Sequence, residues 1–538
     1  MKVSEIPQNT TKRYGMVVDL NRCVGCQTCT IACKHSNDTP PGVQWRKVLD
    51  VEQGTYPDVS RIFLVTGCQH CEEPPCVPVC PTGATRQRED GLVTMNYDTC
   101  IGCASCAVAC PYQARTIVHE KEGYYGEQTV QEKATTHDDR YGVANKCTFC
   151  VERIDSAEAK GLIPGKDPEV TPACAVSCIT QAITFGDFND ASSKVAELAK
   201  DNRSFQMHAE LGTKPQIKYL YDIPHATPGR KADAADSEDE ALLDESNPLV
   251  GKRQTFWDAR AAMNFVLGGM ASGLAVVAWI AHLAGLLGAN GLRSVYVAAG
   301  AIMAVGLFFV FLKIGRKARF LYVLLRPQTS WMTRETWCVA LFYPAVAALF
   351  VWPSPVLSAV AAIAAAGFLA CQARILYASK GIPAWRAPLV PWMLGASGLF
   401  EGLGLLALAL TLAGQSAAPL ALAGVLLAGL NAVLWWQYRA SAKANGIGPL
   451  SRSDLALMST RLHLVGHLIP ALLFGLCFLP ELAPNALGAV AGIAAAAGGS
   501  LWKYVLITYA CHQQGFALPM VPQRGSGTRA APRRLAMG

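Results

Sequence analysis

Hydrophobic and polar residues are distributed differently in the two halves of the chain. Beyond Trp257 the sequence is rich in alanine, leucine, glycine and valine, in eight apolar stretches long enough to cross a lipid bilayer. We place these stretches at residues 263–287, 294–312, 336–352, 355–376, 388–412, 417–436, 462–480 and 486–509. Residues 251–515 are therefore predicted to form an all-α polytopic membrane domain with eight transmembrane helices.

Shorter apolar runs in the first half lead into loops that are rich in cysteine. The segments YGMVVDLNRC and GLVTMNYDTC each have the β-branched and aromatic residues that are typical of strands. The segment RIFLVTGCQHC is similar. Residues 1–225 are therefore predicted to form an α+β domain of short strands and helices.

Two segments of biased composition lie outside these domains. Residues 226–250 contain seven acidic residues and few large apolar ones, which predicts an acidic flexible linker. An acidic docking segment is the alternative interpretation. Residues 516–538 include RGSGTRAAPRR and are predicted to be a basic cytoplasmic tail.

Cysteine usage separates the two halves as clearly as hydropathy does. Sixteen of the twenty cysteines lie between Cys23 and Cys178. The N-terminal residues contain neither an apolar signal core nor a twin-arginine pair, so we expect this domain to stay in the cytoplasm, where clustered cysteines indicate metal binding. Four cysteines stand singly in apolar sequence, where a cysteine behaves as a small hydrophobic residue; they are Cys338, Cys371, Cys477 and Cys511.

The sixteen clustered cysteines form four groups of four. In each group two or three close thiols are followed by a last thiol after three intervening residues. A C-x-x-C-x-x-C loop wraps three thiolates around an iron–sulfur cubane, and in two-cluster ferredoxins the last cysteine ligates the other cluster. Cysteine groups therefore come in pairs, although spacing alone does not show which groups pair. The groups are Cys23, Cys26, Cys29 and Cys33; Cys68, Cys71, Cys76 and Cys80; Cys100, Cys103, Cys106 and Cys110; and Cys147, Cys150, Cys174 and Cys178.

Structural zinc and disulfide bonds are the alternatives to iron–sulfur clusters. A zinc site uses two pairs of ligands, which leaves the close triplets of the first and third groups unexplained. Disulfides are disfavoured by the reducing compartment. Sixteen thiolates are instead sufficient for four [4Fe–4S] clusters.

This arrangement, over about residues 12–190, resembles the four-cluster iron–sulfur subunit of molybdopterin oxidoreductases, nearest to that of dimethyl sulfoxide reductase. The resemblance implies a ferredoxin-like poly-cluster fold in which the first group pairs with the fourth and the second with the third. The implied ligand sets are Cys23, Cys26, Cys29 and Cys178; Cys147, Cys150, Cys174 and Cys33; Cys68, Cys71, Cys76 and Cys110; and Cys100, Cys103, Cys106 and Cys80.

The residue after the last cysteine differs between groups. Proline follows Cys80 and Cys110, where it suits the start of a helix or a turn, but Lys34 follows Cys33. A positive charge beside a cluster tends to raise its reduction potential. We therefore expect Lys34→Glu to lower the midpoint potential of one cluster.

Hydropathy, helix number and the segment SWMTRETW make the second half similar to the eight-helix membrane anchor of the same family. In that family the two parts are separate polypeptides, whereas here they form one chain. One set of loops carries nearly all the basic residues and the other carries Arg293, which predicts an inner-membrane protein with both termini and the cysteine-rich domain in the cytoplasm. The residues of the basic set are Lys252, Arg253, Arg260, Lys313, Arg316, Lys317, Arg319, Arg326, Arg334, Arg374, Lys380, Arg386, Arg439, Lys443, Arg452 and Arg461.

Ionisable residues inside apolar helices indicate function, because burying them in a bilayer is costly. His463 and His467 lie at positions i and i+4 near the start of the seventh stretch, and Glu401 lies in the middle of the fifth. Quinone chemistry needs such titratable partners, so these three residues form a possible quinone site. No haem is expected, because two histidines on one helical face cannot ligate both sides of an iron and His282 is near the other surface. The alternative is that His463 and His467 make ordinary hydrogen bonds at the membrane interface and that Glu401 pairs with a neighbouring helix.

The combined interpretation is a non-catalytic subunit that relays electrons between quinone and a separate catalytic subunit. No molybdopterin-binding sequence is present, so the molybdopterin is expected in a partner chain, and no nucleic acid partner is expected. The direction of electron flow stays open: dimethyl sulfoxide reduction and sulfite oxidation are weighed equally. The alternative from a different functional class is that the chain is a subunit of an ion-translocating redox complex.

Overall fold

The computed structural model describes residues 12–55, 58–201, 203–222, 242–245, 247–479 and 484–518. The cysteine-rich part is built on a sheet of order β8-β1-β10-β9, in which β1 is antiparallel to β8 and parallel to β10. Met16 and Val17 of β1 are both buried, as expected for a central strand covered on its two faces. The strands are β1 (Tyr14–Asp19), β2 (Arg46–Thr55), β3 (Asp58–Gly67), β4 (Thr85–Gln87), β5 (Val93–Met95), β6 (Thr116–Ile117), β7 (Ala144–Asn145), β8 (Ile183–Asp187), β9 (Ser204–Phe205) and β10 (Ile217–Leu220).

Short helices follow the cysteine loops. The residue before three of these helices has a left-handed backbone, with φ of 61° at Gln27, 66° at Ala104 and 54° at Cys150. This conformation turns the chain sharply between the loop and the helix, which keeps the thiols of one loop together. The helices are α1 (Thr28–Ser36), α2 (Ser105–Val108), α3 (Val130–Thr135), α4 (Val151–Asp155), α5 (Ala157–Lys160), α6 (Ala173–Val176) and α7 (Lys194–Leu198).

Eight helices of the described part are long and apolar enough to cross a membrane, which confirms the predicted α+β then all-α fold class. Several of them begin earlier than expected, including the third, at Trp331 rather than residue 336, and the seventh, at Pro449 rather than residue 462. The seventh contains a π-helical segment at Leu462–Leu468. The helices are α8 (Ala259–Leu283), α9 (Ala289–Lys313), α10 (Trp331–Val351), α11 (Pro355–Tyr377), α12 (Val390–Leu412), α13 (Ala421–Ala440), α14 (Pro449–Leu476) and α15 (Pro484–Thr508).

The narrow break between α10 and α11 has a clear local cause. The Ser354 hydroxyl accepts a hydrogen bond from the Val356 amide at 3.2 Å, and Pro355 occupies the first helical position. Both features are typical of a helix start. The sequence PSP therefore ends one membrane helix and begins the next.

Glycines let three membrane helices approach each other closely. A Cβ atom added to Gly273 of α8 would collide with the Gly398 carbonyl oxygen of α12. One added to Gly492 of α15 would collide with the Gly404 oxygen, also on α12. Small residues at such contacts allow the close backbone packing on which membrane helix association depends.

The cysteine-rich part sits on the basic ends of the membrane helices. The Arg316 side chain donates to the Tyr141 oxygen at 2.9 Å, and Arg319 donates to the Tyr97 oxygen at 2.7 Å. The segment after α15 returns to the same part, where His208 contacts the Gly515 oxygen at 2.6 Å. The predicted domain boundaries remain predictions, since residues 226–241 and 246 of the linker and 519–538 of the tail lie outside the described residues.

Candidate functional site

Two cavities of the cysteine-rich part are each lined by four cysteines. The first thiol cavity is lined by Cys68, Cys71 and Cys76 of one loop together with Cys110 from the end of the next group. The membrane-side thiol cavity is lined by Cys100, Cys103 and Cys106 together with Cys80. The second and third groups thus exchange their last cysteines between the two cavities.

The other two groups are also brought together. Cys23 lies beside Cys178 and Cys26, close enough for their charges to raise the pKa of its thiol, although burial is the larger cause. Burial likewise raises the pKa of Cys33, followed by the charges of its neighbours Cys147, Cys174 and Cys150. Cys33 is therefore near the fourth group rather than near its own loop.

Backbone and side-chain donors surround these thiols. The Ala182 amide donates to Cys178 Sγ at 3.2 Å, and the Phe149 amide donates to Cys147 Sγ at 3.4 Å. The Asn37 amide group lies 3.8 Å from Cys33 Sγ and 3.7 Å from Cys150 Sγ. Hydrogen bonds to ligand sulfurs are one of the means by which a protein sets a cluster's potential.

Two buried arginines face the thiols. Arg46 of β2 is fully buried, and its Nη2 lies 3.9 Å from Cys174 Sγ. Arg115 lines the first thiol cavity and lies close to Cys106 of the membrane-side one. Among the described residues, Arg46 Nη1 and Arg115 Nη2 have no hydrogen-bond partner. A buried cation without a partner is costly, so an anionic group in these cavities would fit the two guanidinium groups.

The thiols themselves fit a group that supplies positive metal ions. Burial raises the pKa of Cys110 to about 12 and that of Cys100 to about 11, so these thiolates need compensating charge. None of the twenty cysteines is in a disulfide. In the part of the chain that the structure describes, no three His, Cys, Asp or Glu side chains converge on one point that could hold a single ion. Four thiols around one cavity, three from one cysteine group and one from another, are the ligand arrangement of a two-cluster ferredoxin.

Neither arginine was singled out in the sequence, which drew attention to Lys34 instead. The Lys34 ammonium donates to the carbonyl oxygens of Thr39 at 2.7 Å and Pro40 at 2.8 Å. Its charge is thus satisfied by the loop that follows α1. A signal was available for Arg115, which is a lone arginine five residues after Cys110. Arg46 had no such signal, because it lies thirteen residues after Cys33 and is followed by Lys47.

The membrane-side thiol cavity rests directly on the membrane helices. The Trp257 indole donates to the Cys103 oxygen at 3.0 Å, and the Arg316 amide donates to the Ile101 oxygen at 3.1 Å. The backbone approach is close, since a Cβ atom on Gly102 would collide with the Gly142 oxygen and would lie 3.1 Å from Gly315 Cα. Gly102 also has a φ of 71°, so a side chain there would be strained in addition.

An apolar cavity extends from Cys103 into the helices. Its polar residues are Asn264 of α8, Lys313 at the end of α9, and Glu335 and Thr336 of α10. Glu335 and Asn264 are buried, and the Asn264 amide lies 3.5 Å from Glu335 Oε1. An apolar cavity with few convergent polar groups is the usual form of a small-molecule site. Its lining also includes Ile101, Cys103, Trp257, Ala261, Phe265, Ala304, Leu307, Phe308, Val310, Phe311, Ile314, Phe320, Val323, Met332, Val339 and Ile375.

The three residues predicted for a quinone site lie elsewhere in the bundle. Glu401 is fully buried and pairs with Lys503 of α15, whose Nζ lies 2.8 Å from Glu401 Oε2. His463 and His467 are on the π-helical segment, with their Nδ1 atoms 3.5 Å apart. None of the three is among the described residues that line the apolar cavity. Glu335 was missed because the third apolar stretch was started at residue 336, which left Glu335 in a loop.

Comparison with known proteins agrees with this geometry. The family model of the 4Fe-4S dicluster domain matches residues 59–125, which contain the second and third cysteine groups. A selenate reductase subunit of Mesobacillus selenatarsenatis is 42% identical over 221 residues, 38% of this chain and 70% of the relative. A putative dimethyl sulfoxide reductase iron–sulfur subunit of Halobacterium salinarum is 35% identical over 253 residues, 45% of this chain and 90% of the relative. A sulfite dehydrogenase subunit of Allochromatium vinosum is 35% identical over 261 residues, 43% of this chain and 98% of the relative.

The thiol cavities and the matching domain define an iron–sulfur electron-transfer protein that is joined to membrane helices. The chain belongs to the family of iron–sulfur subunits of dimethyl sulfoxide reductase-like oxidoreductases. Its eight-helix apolar region is part of the same polypeptide.

Proposed function

We propose that this chain relays electrons between a quinone in the membrane and a separate catalytic subunit that carries molybdopterin. The observation that carries the proposal is the apolar cavity that reaches from the membrane helices to Cys103, a wall of the membrane-side thiol cavity. A site for a lipid-soluble redox carrier is thereby adjacent to a site for an electron-transfer group. The names of the relatives, which are reductase and dehydrogenase subunits, support a separate catalytic partner.

The sixteen clustered cysteines would hold four [4Fe–4S] clusters. When bound, such clusters supply reversible one-electron transfer at potentials set by charge, hydrogen bonds and burial. The exchange of Cys80 and Cys110 between the two thiol cavities supports the ligand assignment for the second and third groups. The proposed ligand sets are Cys23, Cys26, Cys29 and Cys178; Cys147, Cys150, Cys174 and Cys33; Cys68, Cys71, Cys76 and Cys110; and Cys100, Cys103, Cys106 and Cys80.

The chain's own residues then place the quinone. The aromatic and aliphatic walls of the apolar cavity bind the ring and tail by excluding water. Glu335 and Asn264 offer a proton acceptor and a hydrogen-bond donor to a quinone oxygen. His463, His467 and Glu401, expected from the sequence, are the competing location for this site.

The catalytic partner would dock at the opposite end of the cysteine array. Cys26 is exposed, and the groove beside it is lined by Ile31 of α1 and Val176 of α6. Val24 and Ile179 are exposed as well. We call Val24, Ile31, Val176 and Ile179 the apolar patch. Exposed apolar residues around a thiol favour a protein surface that approaches within electron-transfer distance.

The protein is proposed to lie in the inner membrane with its cysteine-rich part and both termini in the cytoplasm. The helix ends that contact the cysteine-rich part carry basic residues such as Arg316 and Arg319, which is the distribution that the positive-inside rule associates with the cytoplasmic side. A catalytic partner at the apolar patch would then be cytoplasmic too.

The complex of this chain with its catalytic partner provides the test. Iron analysis and EPR of the reduced complex should show four interacting [4Fe–4S] clusters per chain, and a short-tail quinol or quinone should reduce or reoxidise them. Turnover with sulfite and quinone, against turnover with quinol and dimethyl sulfoxide, decides the direction. Fewer than four clusters, or clusters that do not exchange electrons with quinone, would contradict the proposal.

A further inference from the structure

A line of buried polar groups leads from the apolar cavity into the centre of the helix bundle. It begins at Glu335, against which the Asn264 and Gln372 side chains lie. The Gln372 side-chain amide donates to the backbone carbonyl oxygen of Asn264 at 2.9 Å. Within the described residues, Asn264 Oδ1 and Gln372 Oε1 have no partner, although both side chains are buried. Two buried acceptors without donors are unusual in a folded protein, and such groups commonly bond to ordered water.

Two adjacent glycines of α8 continue this line. A Cβ atom on Gly268 would lie 2.5 Å from Gln372 Nε2, and one on Gly269 would lie 2.6 Å from Lys503 Nζ. The same Cβ on Gly269 would lie 4.0 Å from Glu401 Oε2. Gln372 thus packs at Gly268, and the Glu401–Lys503 pair packs at Gly269, one residue further along α8. The two missing side chains leave space for these polar groups of α11, α12 and α15 on neighbouring faces of α8.

The Glu401–Lys503 pair at the end of the line is fully buried and well supported. The Ser397 hydroxyl donates to Glu401 Oε1 at 2.5 Å, and the Trp502 indole donates to the Ser397 oxygen at 3.0 Å. A buried ion pair is weak evidence for stability, because removing two charges from water costs about as much as their attraction returns. Inside a membrane such a pair indicates function by default.

A further buried polar residue lies on the same helix. Ser272 is on the next turn of α8 after Gly268, and it is fully buried. Its hydroxyl lacks a hydrogen-bond partner in the described part of the chain. Polar groups thus follow α8 from the cavity end, at Asn264, to the middle of the helix.

We propose that Glu401 and Lys503 form a proton relay for the quinone site, reached from Glu335 through Asn264 and Gln372. The inference rests on the proposed quinone function and adds a proton route to it. Oxidation of a quinol to a quinone releases two electrons and two protons, and reduction takes up the same numbers. The electrons pass to or from the sites held by the cysteines, so the protons need a separate path.

The relay keeps the buried region close to neutral. A proton from the cavity side binds the Glu401 carboxylate, and the Lys503 ammonium gives up a proton towards the Ser272 turn of α8. Transfer of the proton from the Glu401 acid to the Lys503 amine then restores the original ion pair. One proton enters for each one that leaves, so no net charge stays in the apolar bundle.

Redox-induced infrared difference spectroscopy of the full complex in liposomes tests the relay directly. In the wild type, time-resolved spectra recorded during quinone turnover should show a transient band in the carboxylic-acid C=O region, because Glu401 is protonated only until the ion pair is restored. We expect Glu401→Gln with Lys503→Met, which removes both charges together, to remove the Glu401 part of that band, to leave any part that belongs to Glu335, and to slow steady-state quinone turnover at least tenfold. Reduction of the clusters by dithionite should be unchanged, because the relay does not hold them.

Two further variants separate a proton role from a folding role. Ser397→Ala removes only the hydroxyl that donates to Glu401, and it should shift the frequency of the band while the complex stays assembled. Asn431→Leu, at a buried residue of α13 that bonds the Leu427 oxygen, is the matched control and should leave the band and the turnover at the wild-type values.

The outcomes distinguish the relay from the proposed function. A carboxylic-acid band and turnover that are unchanged in the double variant and in Ser397→Ala would overturn the relay alone. Wild-type clusters that exchange no electrons with quinol would overturn both the relay and the quinone function on which it rests.

Discussion

The two ends of the cysteine array meet their surroundings in opposite ways. At one end Cys26 is exposed and is surrounded by the apolar patch on the protein surface. At the other end the Cys103 oxygen accepts from the Trp257 indole, and Cys103 lines the apolar cavity between helices. A protein surface can approach the first end, whereas only a small lipid-soluble molecule can reach the second. The proposed positions of the catalytic partner at one end and of the quinone at the other rest on this difference.

Loss of one cluster ligand at the membrane end should have the largest effect. We expect Cys106→Ser to destroy or convert the cluster of the membrane-side thiol cavity, because the thiolate lies inside it. Quinone-linked turnover should fall more than a hundredfold, since the path from the cavity is interrupted. EPR spin quantitation and iron analysis measure the loss. Cys477→Ala, on the far side of the helix bundle from this cavity, is the control and should retain every cluster signal.

Removal of the carboxylate from the apolar cavity should be the next largest effect. Glu335→Gln keeps the shape of the side chain but removes the proton acceptor, so quinone turnover should fall about a hundredfold, the lower end of the roughly 10²–10⁴-fold contribution of one acid–base group. Steady-state kinetics with a short-tail quinone gives the measurement. His467→Gln is the matched variant at the competing location and should lower turnover less than threefold. The reverse ranking of the two variants would move the site to the π-helical segment of α14.

A charge on the apolar patch should weaken partner binding without affecting the membrane end. Ile31→Glu places a carboxylate in a surface that is proposed to be buried, which costs roughly 1–3 kcal/mol and raises the dissociation constant about fivefold to a hundredfold. Pull-down and titration of the catalytic subunit against the purified chain measure it. Val130→Glu, at an exposed apolar residue outside the patch, should bind the partner like the wild type. Equal weakening by both variants would show that the patch is not the docking surface.

The smallest functional change is expected when the positively charged residues near the thiols, Arg115 and Lys34, are substituted. Arg115→Met removes a charge beside two thiol cavities, which disfavours the more negative reduced state and lowers midpoint potentials by roughly 60–120 mV. Lys34→Glu should lower a potential by less, because the Lys34 ammonium is bound to the carbonyls of Thr39 and Pro40. Potentiometric EPR titration compares the two. A larger shift in Lys34→Glu than in Arg115→Met would contradict the assigned roles.

The repeated patterns of the chain were sufficient to predict its architecture. The length of the apolar stretches predicted the eight helices, and the cysteine spacing together with the strand patterns predicted the α+β part. Both kinds of signal are local in sequence. Arg46 and Glu335 could not be found in the same way. Their significance comes from burial next to residues that are distant in sequence, such as Cys174 beside Arg46, which only the folded chain shows.

The ionisable residues of the helices illustrate the same limit. Glu401 stood out because it lies in the middle of an apolar stretch, but the sequence did not show that Lys503 is its partner. Glu335 lies only a few residues into α10, where the capping Ser330 and the first turn resemble a polar loop in a hydropathy profile. A shift of five residues in the predicted start of one helix was enough to hide the carboxylate of the apolar cavity.

The most direct test of the two-ended account is the EPR spectrum of the reduced complex with and without a saturating quinone analogue. The account predicts that the analogue changes the signal of the cluster held by Cys80, Cys100, Cys103 and Cys106, and that Glu335→Gln weakens or removes this change. An unchanged spectrum at saturation, or a change that is lost in His467→Gln and kept in Glu335→Gln, would contradict it.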